Sequence, residues 1–558
     1  MSGLLVVPSA RLIPAELQGD FGQIPSCMIP FGGAPALQQI LSGVQGTAMR
    51  VLVAGHENVS WIESFLVHAP RDEVRSVDVG ATRSLGETLH RALRSEAHLD
   101  GPLMVNFGDT VIRGGLPEGD AFVFACPDEL FRWTTFRLSA DGYLDQILDR
   151  GVEKEDLVDG RVFVGVFSFA DGRRFADCLA AALAAPSPDL DPFYRAVLAY
   201  YNSADTPPVA KEVEQWIDLG HLDTYYASRR VYAMGQRAFN AVSVDAFRSI
   251  LTKRSQNEAK FADEIQWYTR IPAGLSYLAP RVFGWSVVPG QMYIDLEFYG
   301  YPPLSEVFLF SRLDLAEWRA IFSRLGQVRD DMDRYRADDA DPARIAAALR
   351  TMYLQKTLER LKDVTQLGLD PAMLDGPLTV NGKPCVPLRR LIAELPALLA
   401  REGLQEAPHF SVIHGDFCLS NILFDRRSRT VRLVDPRGSF GDFDVYGDPR
   451  YDLAKLSHCF NGGYDFLVQG LFALESPEPG AYTLHEFTNE RHRLVRDAFN
   501  AFFLSAPIVR QQVRLIEALL FLSMVPLHDD RPLSQRAFLL RGLETATAYF
   551  AEFRATQG

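Results

Sequence analysis

His414, Asp416 and Asn421 interrupt the apolar stretch VIHGDFCLSNILFD, and Asp435 interrupts VRLVDPRGSFGD a few residues later. A buried strand flanked by turns has no use for these groups, and an unpaired buried carboxylate is expensive. Two carboxylates with an amide between them suit a site for a metal-bound nucleoside triphosphate. Asp416, at the end of the apolar FSVI, can orient a hydroxyl, while the amide of Asn421 and the carboxylate of Asp435 offer oxygens to magnesium. A cation for the phosphates is available in Lys253, which ends SILTK, with Glu264 on the following helix to hold it. Alone, such a pair reads as a solvated ion pair worth little. Its place in one ordered series with Asp416, Asn421 and Asp435 makes it part of a set.

A second pair of carboxylates lies in the first half of the chain. LMVNFGDT places Asp109 after an apolar strand and a glycine, and EVEQWIDLGHLDTYY places Asp218 after Trp-Ile. Each alone reads as a turn residue. A common role requires a shared metal at the strand ends of one sheet, where open α/β sheets place ligands.

Around these residues the chain has two characters. Up to about residue 230 short apolar runs (LLVVP, RVLVAG, LMVNFGD, AFVFACP, RVFVGVFSF) alternate with helical patterns (ALQQILSGV, WIESFLVHA, LGETLHRALRS), as α/β units with a mostly parallel sheet do. Beyond it, FNAVSVDAFRSILTKRS reads as strand, turn and strand, and NEAKFADEIQWYTRIP as a helix ended by Pro272. VFGWSVVPGQMYIDLEFYG then reads as a hairpin, and the remainder as mainly helical. At 558 residues the chain is too long for one core, and the expected domains are 1–230 and 231–558.

Composition narrows the function classes. An apolar fraction of 47% and a charged fraction of 23% are those of a globular protein. A net charge of −14 argues against a nucleic-acid partner and leaves room for a local basic pocket for phosphates. The six cysteines include no close pair, which suits a reducing compartment rather than a disulfide framework or a zinc site. The N-terminus carries no secretory pattern, and IEALLFLSMVPL is too short to span a bilayer. A cytoplasmic protein without membrane insertion is expected.

HGDFCLSNILFD followed by LVDPRG resembles the aminoglycoside phosphotransferase and choline kinase family, a branch of the protein-kinase-like fold, over about residues 231–558. The resemblance implies an α+β domain with a small N-lobe and a largely helical C-lobe. It makes Asp416 the catalytic base and Asn421 and Asp435 the magnesium ligands, with Lys253 and Glu264 positioning the triphosphate. It places Glu297 and Tyr299 of LEFYG at the adenine-binding hinge, and QRAFNAV, without a glycine-rich pattern, where a phosphate-covering loop belongs. Pro436-Arg437-Gly438 stands where protein kinases have Phe-Gly, a departure common in the family. Asp452, in YGDPRYDLAKLSH, either caps its helix or braces the catalytic loop, the role the family gives an aspartate here; His414 orients the same loop.

The first half resembles the sugar-phosphate nucleotidyltransferases, through VVPSARLIP…CMIPFGGAPALQQIL, LGETLHRAL, and Asp109 and Asp218 as joint magnesium ligands. The usual glycine-rich loop with an arginine is absent, Arg11 is the nearest basic residue, and LDRGVEKEDL replaces the usual Glu-Lys-Pro. Together the halves imply an ATP-dependent kinase and a nucleotidyltransferase with magnesium as cofactor. One half phosphorylates a sugar and the other couples the sugar phosphate to a nucleotide, supplying a precursor for surface polysaccharide. The alternatives are an amino-alcohol kinase with a cytidylyltransferase, or a kinase with a non-catalytic nucleotide- or sugar-sensing N-terminal domain. The partners expected are a small-molecule acceptor and nucleoside triphosphates; an oligomer is open.

Overall fold

Strand β1 (Gly3–Ser9, GLLVVPS) is buried at every residue, the mark of a strand covered on both faces rather than one. It lies parallel to β2 (Met49–Gly55), and β2 parallel to β3 (Val74–Asp78). On its other side β1 is parallel to β4 (Leu103–Asn106). The computed structural model describes all residues except 1–2, 68–73, 150–159, 186, 188, 233–239, 338–339, 363, 365–368, 529 and 551–558. It divides into two units, Met1–Ala233 with Phe310–Arg312, and Met234–Leu309 with Leu313–Gly558.

The sheet of the first unit is mixed. A mostly parallel reading holds for β1 to β4. It fails at Val162–Phe169, which runs antiparallel to β4 and to Ala121–Ala125. The physical reason is that an unbroken apolar run reports burial on both faces and carries no information about strand direction. A short separate ribbon completes the unit: β5 (Thr110–Arg113) pairs antiparallel with β6 (Gln215–Asp218), setting Asp218 opposite Thr110.

The core behind this sheet is aromatic. Phe167, fully buried, packs its ring against Phe163 at 5.1 Å and edge-on against Phe193 at 5.0 Å. Replacing Phe167 with alanine removes a large buried side chain that neighbouring rings cannot collapse to fill. A loss of about 3–5 kcal/mol is expected, measurable by urea unfolding followed through intrinsic fluorescence.

In the second unit β7 (Asn240–Asp245), β8 (Ile250–Ser255), β9 (Val282–Ser286) and β10 (Tyr293–Glu297) form an antiparallel sheet in the order β7-β8-β10-β9. Helix α1 (Glu258–Arg270) follows β8 and is N-capped by the Asn257 side chain. The rest is largely helical. IEALLFLSMVPL lies mostly in the helix Pro507–Met524, whose second half is buried. Among the described residues no helix is long and apolar enough to cross a membrane.

Candidate functional site

Lys253 sits on β8, between β7 and β10, so neighbours on both sides bury it to 7% exposure. Its ammonium donates to both Glu264 carboxylate oxygens, at 2.8 and 2.9 Å, and to Asp435 Oδ1 at 2.7 Å. Glu264 comes from α1, whose buried residues include Phe261, Ile265 and Trp267. Burial raises the Glu264 carboxyl to about 7, with Lys253 opposing. Burial opposes the charge on Lys253 as well, but Asp435 and Glu264 outweigh it and hold the amine above the usual lysine value.

Asp435 follows the strand Thr430–Leu433 in a left-handed backbone conformation, φ 54°. Few non-glycine residues adopt that geometry, and those that do cluster at functional sites. Its side chain is 59% exposed whereas that of Lys253 is 8% exposed, so a buried cation anchors a carboxylate that reaches solvent. Three residues on, a side chain at Gly438 would begin 1.9 Å from the Asp263 carbonyl oxygen, so only glycine lets this turn lie against α1.

Asp416 enters from the turn after the strand Ser411–Val412. Asn421 Nδ2 donates to the Asp416 carbonyl at 3.0 Å and to its Oδ2 at 3.1 Å, closing the loop on itself. The Val434 amide donates to the Asn421 carbonyl, and the Arg437 amide to the His414 carbonyl, each at 3.0 Å. The Asp435 segment therefore runs alongside the Asp416 loop, and Lys253, Glu264, Asp416, Asn421 and Asp435 form one site.

Asp452 braces the loop. Its two oxygens accept from the His414 and Gly415 amides at 2.7 and 2.8 Å, while Asp448 caps the helix Pro449–Phe460. Burial raises the Asp452 carboxyl to about 6. His414 is fully buried against the Trp267 ring, and burial lowers its pKa to about 4, which keeps it neutral and unfit for proton transfer at neutral pH. In Asp452→Ala two buried amides lose their acceptor, an expected cost of about 3 kcal/mol on a scale of 1–3 per orphaned group. Thermal unfolding and ADP formation are both expected to report it.

Lys455 escaped the sequence reading. It lies three residues after Asp452 on the same helix and pairs with Asp416 Oδ1 at 2.8 Å. Its spacing from Asp452 within one helix face was the available signal. At the proposed hinge, Tyr299 donates its hydroxyl to Glu297 Oε2 at 2.8 Å, and the Arg432 guanidinium lies 4.8 Å from the Tyr299 ring centre. Residues 236–239 of QRAFNAV are outside the described residues; Asn240 opens β7.

In the first unit a cavity of about 580 Å³ opens beyond the ends of β1 and β4 and is lined by Arg11, Asp109, Arg132, Trp133, Asp218 and His221, among others. Asp109 and Asp218 meet at Gly220, where a Cβ would lie 2.8 Å from Asp109 Oδ2 and 3.5 Å from Asp218 Oδ1. The missing side chain thus leaves a small space between two carboxylates. Hard oxygen donors in that arrangement fit magnesium, which takes one or two carboxylates and completes its shell with phosphates and water. The other oxygen of Asp218 is held by His221 Nδ1 at 3.1 Å and by the Thr224 hydroxyl. Donating to the Asp218 carboxylate raises the His221 pKa against the effect of burial.

Two cations face the same cavity. Arg11 donates to the Arg83 carbonyl at 2.9 Å, and Arg132 is paired with Asp223 and Glu129. Arg132 comes from FRWTTF, far from any expected motif, and carried no sequence signal. The stretch LDRGVEKEDL lies almost wholly outside the described residues.

Residues 241–488 match the model of the phosphotransferase enzyme family, and the chain carries a domain of that family there. No curated protein matches the chain. Similar solved structures include HddC from Yersinia pseudotuberculosis complexed with GMP-PN, 14% identical, with 41% of this chain and 98% of that chain covered and a TM-score of 0.30. The nucleoside-diphosphate-sugar pyrophosphorylase from Vibrio cholerae RC9 is 12% identical, with 40% and 98% covered and a TM-score of 0.33. The inositol-1-phosphate CTP transferase from T. maritima is 10% identical, with 40% and 91% covered and a TM-score of 0.30.

Proposed function

We propose that the chain is a bifunctional enzyme, with a kinase in residues 231–558 and a nucleotidyltransferase in residues 1–230. The observation that carries the reading is the convergence of Asp109 and Asp218 on Gly220, a second carboxylate pair apart from the Lys253–Glu264–Asp416–Asn421–Asp435 set.

In the kinase half, Asp416 orients the acceptor hydroxyl and takes its proton as the oxygen attacks the γ-phosphorus. The bond to ADP breaks, and its electron pair leaves with ADP. Lys455 keeps Asp416 in place, and Lys253, held by Glu264, steadies the triphosphate. Asn421 and Asp435 would hold magnesium, which neutralises phosphate charge when bound. Glu297 and Tyr299 form the corner against which the base rests.

In the other half, a phosphate oxygen of the phosphorylated product attacks the α-phosphorus of a second nucleotide and pyrophosphate leaves. Asp109 and Asp218 would hold the metal there, and Arg11 and Arg132 supply positive charge to the same cavity. A sugar is our reading of the acceptor and an activated precursor for surface polysaccharide our reading of the product, made in the cytoplasm.

The test is a screen of sugars and amino alcohols with magnesium and each nucleoside triphosphate, following ADP and pyrophosphate separately. Both products with a sugar support the reading. An amino alcohol with CTP turns it to a cytidylyltransferase, and ADP without pyrophosphate to a kinase with a sensing domain.

A further inference from the structure

Lys260, Lys356 and Arg360 gather near Arg437, which lies against the Asp416 loop, and none of the four has a carboxylate of its own. Among the described residues Lys260, Lys356, Arg360 and Arg437 form no ion pair, whereas Lys455 is taken by Asp416, and Lys253 by Glu264 and Asp435. This positive excess lies in a chain whose net charge is −14.

Their placement is built into the fold. Arg437 is pinned to the loop: its amide donates to the His414 carbonyl, and its Cβ lies 2.8 Å from where a Gly415 side chain would begin. One guanidinium nitrogen donates to the Tyr451 hydroxyl at 3.2 Å, and its Nε is buried without a hydrogen-bond partner. Lys356 and Arg360 are four residues apart in the helix Lys356–Leu361 and so share a face.

That helix continues from a π-helical turn, Arg350–Gln355, a rare geometry frequent at functional sites. The turn is fastened to the site by Tyr353, whose hydroxyl donates at 2.7 Å to Asp448, the cap of the helix carrying Asp452 and Lys455. Arg360 is steadied by the Ser523 carbonyl at 2.9 Å. Lys260 comes from the first turn of α1.

Burial, then the neighbouring charges of Arg437, Arg360 and Lys455, hold the Lys356 amine well below its usual pKa, with Asp416 the one opposing charge. Burial first, and then Arg360 and Arg437, lower Lys260 in the same way. Gathering unpaired like charges beside a reaction centre costs stability unless a ligand supplies the counter-charge.

We infer that the kinase acceptor is itself an anion, a molecule whose carboxylate or phosphate group docks on Lys356, Arg360 and Arg437 and so sets its hydroxyl at Asp416. The inference rests on the phosphotransfer reading of the Asp416 site. A neutral sugar leaves these cations unpaired, and an amino alcohol is repelled by them.

The test uses the full chain with magnesium and ATP and follows ADP formation with matched sets: a neutral sugar, its sugar acid, its sugar phosphate, and amino alcohols. The anionic members are expected to show kcat/KM at least roughly tenfold above the neutral one, the scale of one charge-assisted contact, and the acid and phosphate arms tell the two anions apart. Lys356→Gln and Arg360→Gln are expected to raise KM for the anionic acceptor by a similar factor and to leave KM for ATP within about twofold, with Lys356→Arg restoring it. A neutral sugar or amino alcohol as the best acceptor overturns the inference. So does a rise confined to KM for ATP, which would assign the cations to the nucleotide.

An equilibrium measurement covers the case in which the panel holds no substrate. Inorganic phosphate should bind the chain loaded with a non-hydrolysable ATP analogue, and Lys356→Gln should weaken it about tenfold; no binding, or binding unmoved by the substitution, overturns the inference. The phosphotransfer reading fails separately, through an Asp416→Asn variant that still forms ADP at the wild-type rate.

Discussion

Asp416→Asn is expected to lower kcat for ADP formation by roughly a hundredfold or more, the scale of a positioned general base, while the fold survives. The substitution is nearly isosteric, the side chain is 39% exposed, and Asn421 and Asp452 still hold the loop. An amide cannot accept the hydroxyl proton, and beside Lys455 it leaves an ammonium without its carboxylate. Nucleotide binding should therefore persist as turnover collapses. Asp435→Ala should act in the opposite order and abolish magnesium-supported nucleotide binding, since it removes both the oxygen proposed to hold magnesium and one of the two carboxylates on Lys253. Kinetics on an identified acceptor and titration with a nucleotide analogue separate the two effects. Either variant turning over at the wild-type rate removes the assignment.

The second expected result concerns the other half. Asp109→Ala or Asp218→Ala should reduce pyrophosphate release by roughly a hundredfold or more, the scale for losing one source of charge stabilisation, here the metal the carboxylates would hold, and spare ADP formation. Asp218 also holds His221 and Thr224, so its loss disturbs the loop as well as the carboxylate pair. Gly220→Ala provides the sharper probe. It keeps both carboxylates and places a methyl group 2.8 Å from Asp109 Oδ2, in the space a metal would need. A comparable loss in that variant identifies the gap between the carboxylates as the working part. Unchanged pyrophosphate release in the Asp109 and Asp218 variants leaves a domain that senses a nucleotide or sugar rather than transferring one.

What could be read in the sequence was what is local along the chain. The apolar runs became strands Gly3–Ser9, Met49–Gly55 and Leu103–Asn106 because their residues are buried on both faces, and burial follows from composition. Asp416 and Asn421 were legible because five residues of one loop place amide against carboxylate. Lys253 and Glu264 were legible because a strand and the next helix are neighbours. Strand direction was not legible: Val162–Phe169 is as apolar as a parallel strand yet runs antiparallel to its neighbours, and hydropathy has no sign for direction. Nor was the identity of the partners that neutralise or fail to neutralise each charge. Lys455 meets Asp416, and Arg132 meets the Asp109 cavity, across dozens of residues of chain. Lys356 stands unpaired because the π-helical turn and Tyr353 fasten its helix beside Arg437. Residue types determined that phosphate chemistry was available to this protein; only the packing of distant segments decided which cations were already spoken for and which were left to meet a ligand, because electrostatic pairing depends on distance in space and not on distance along the chain.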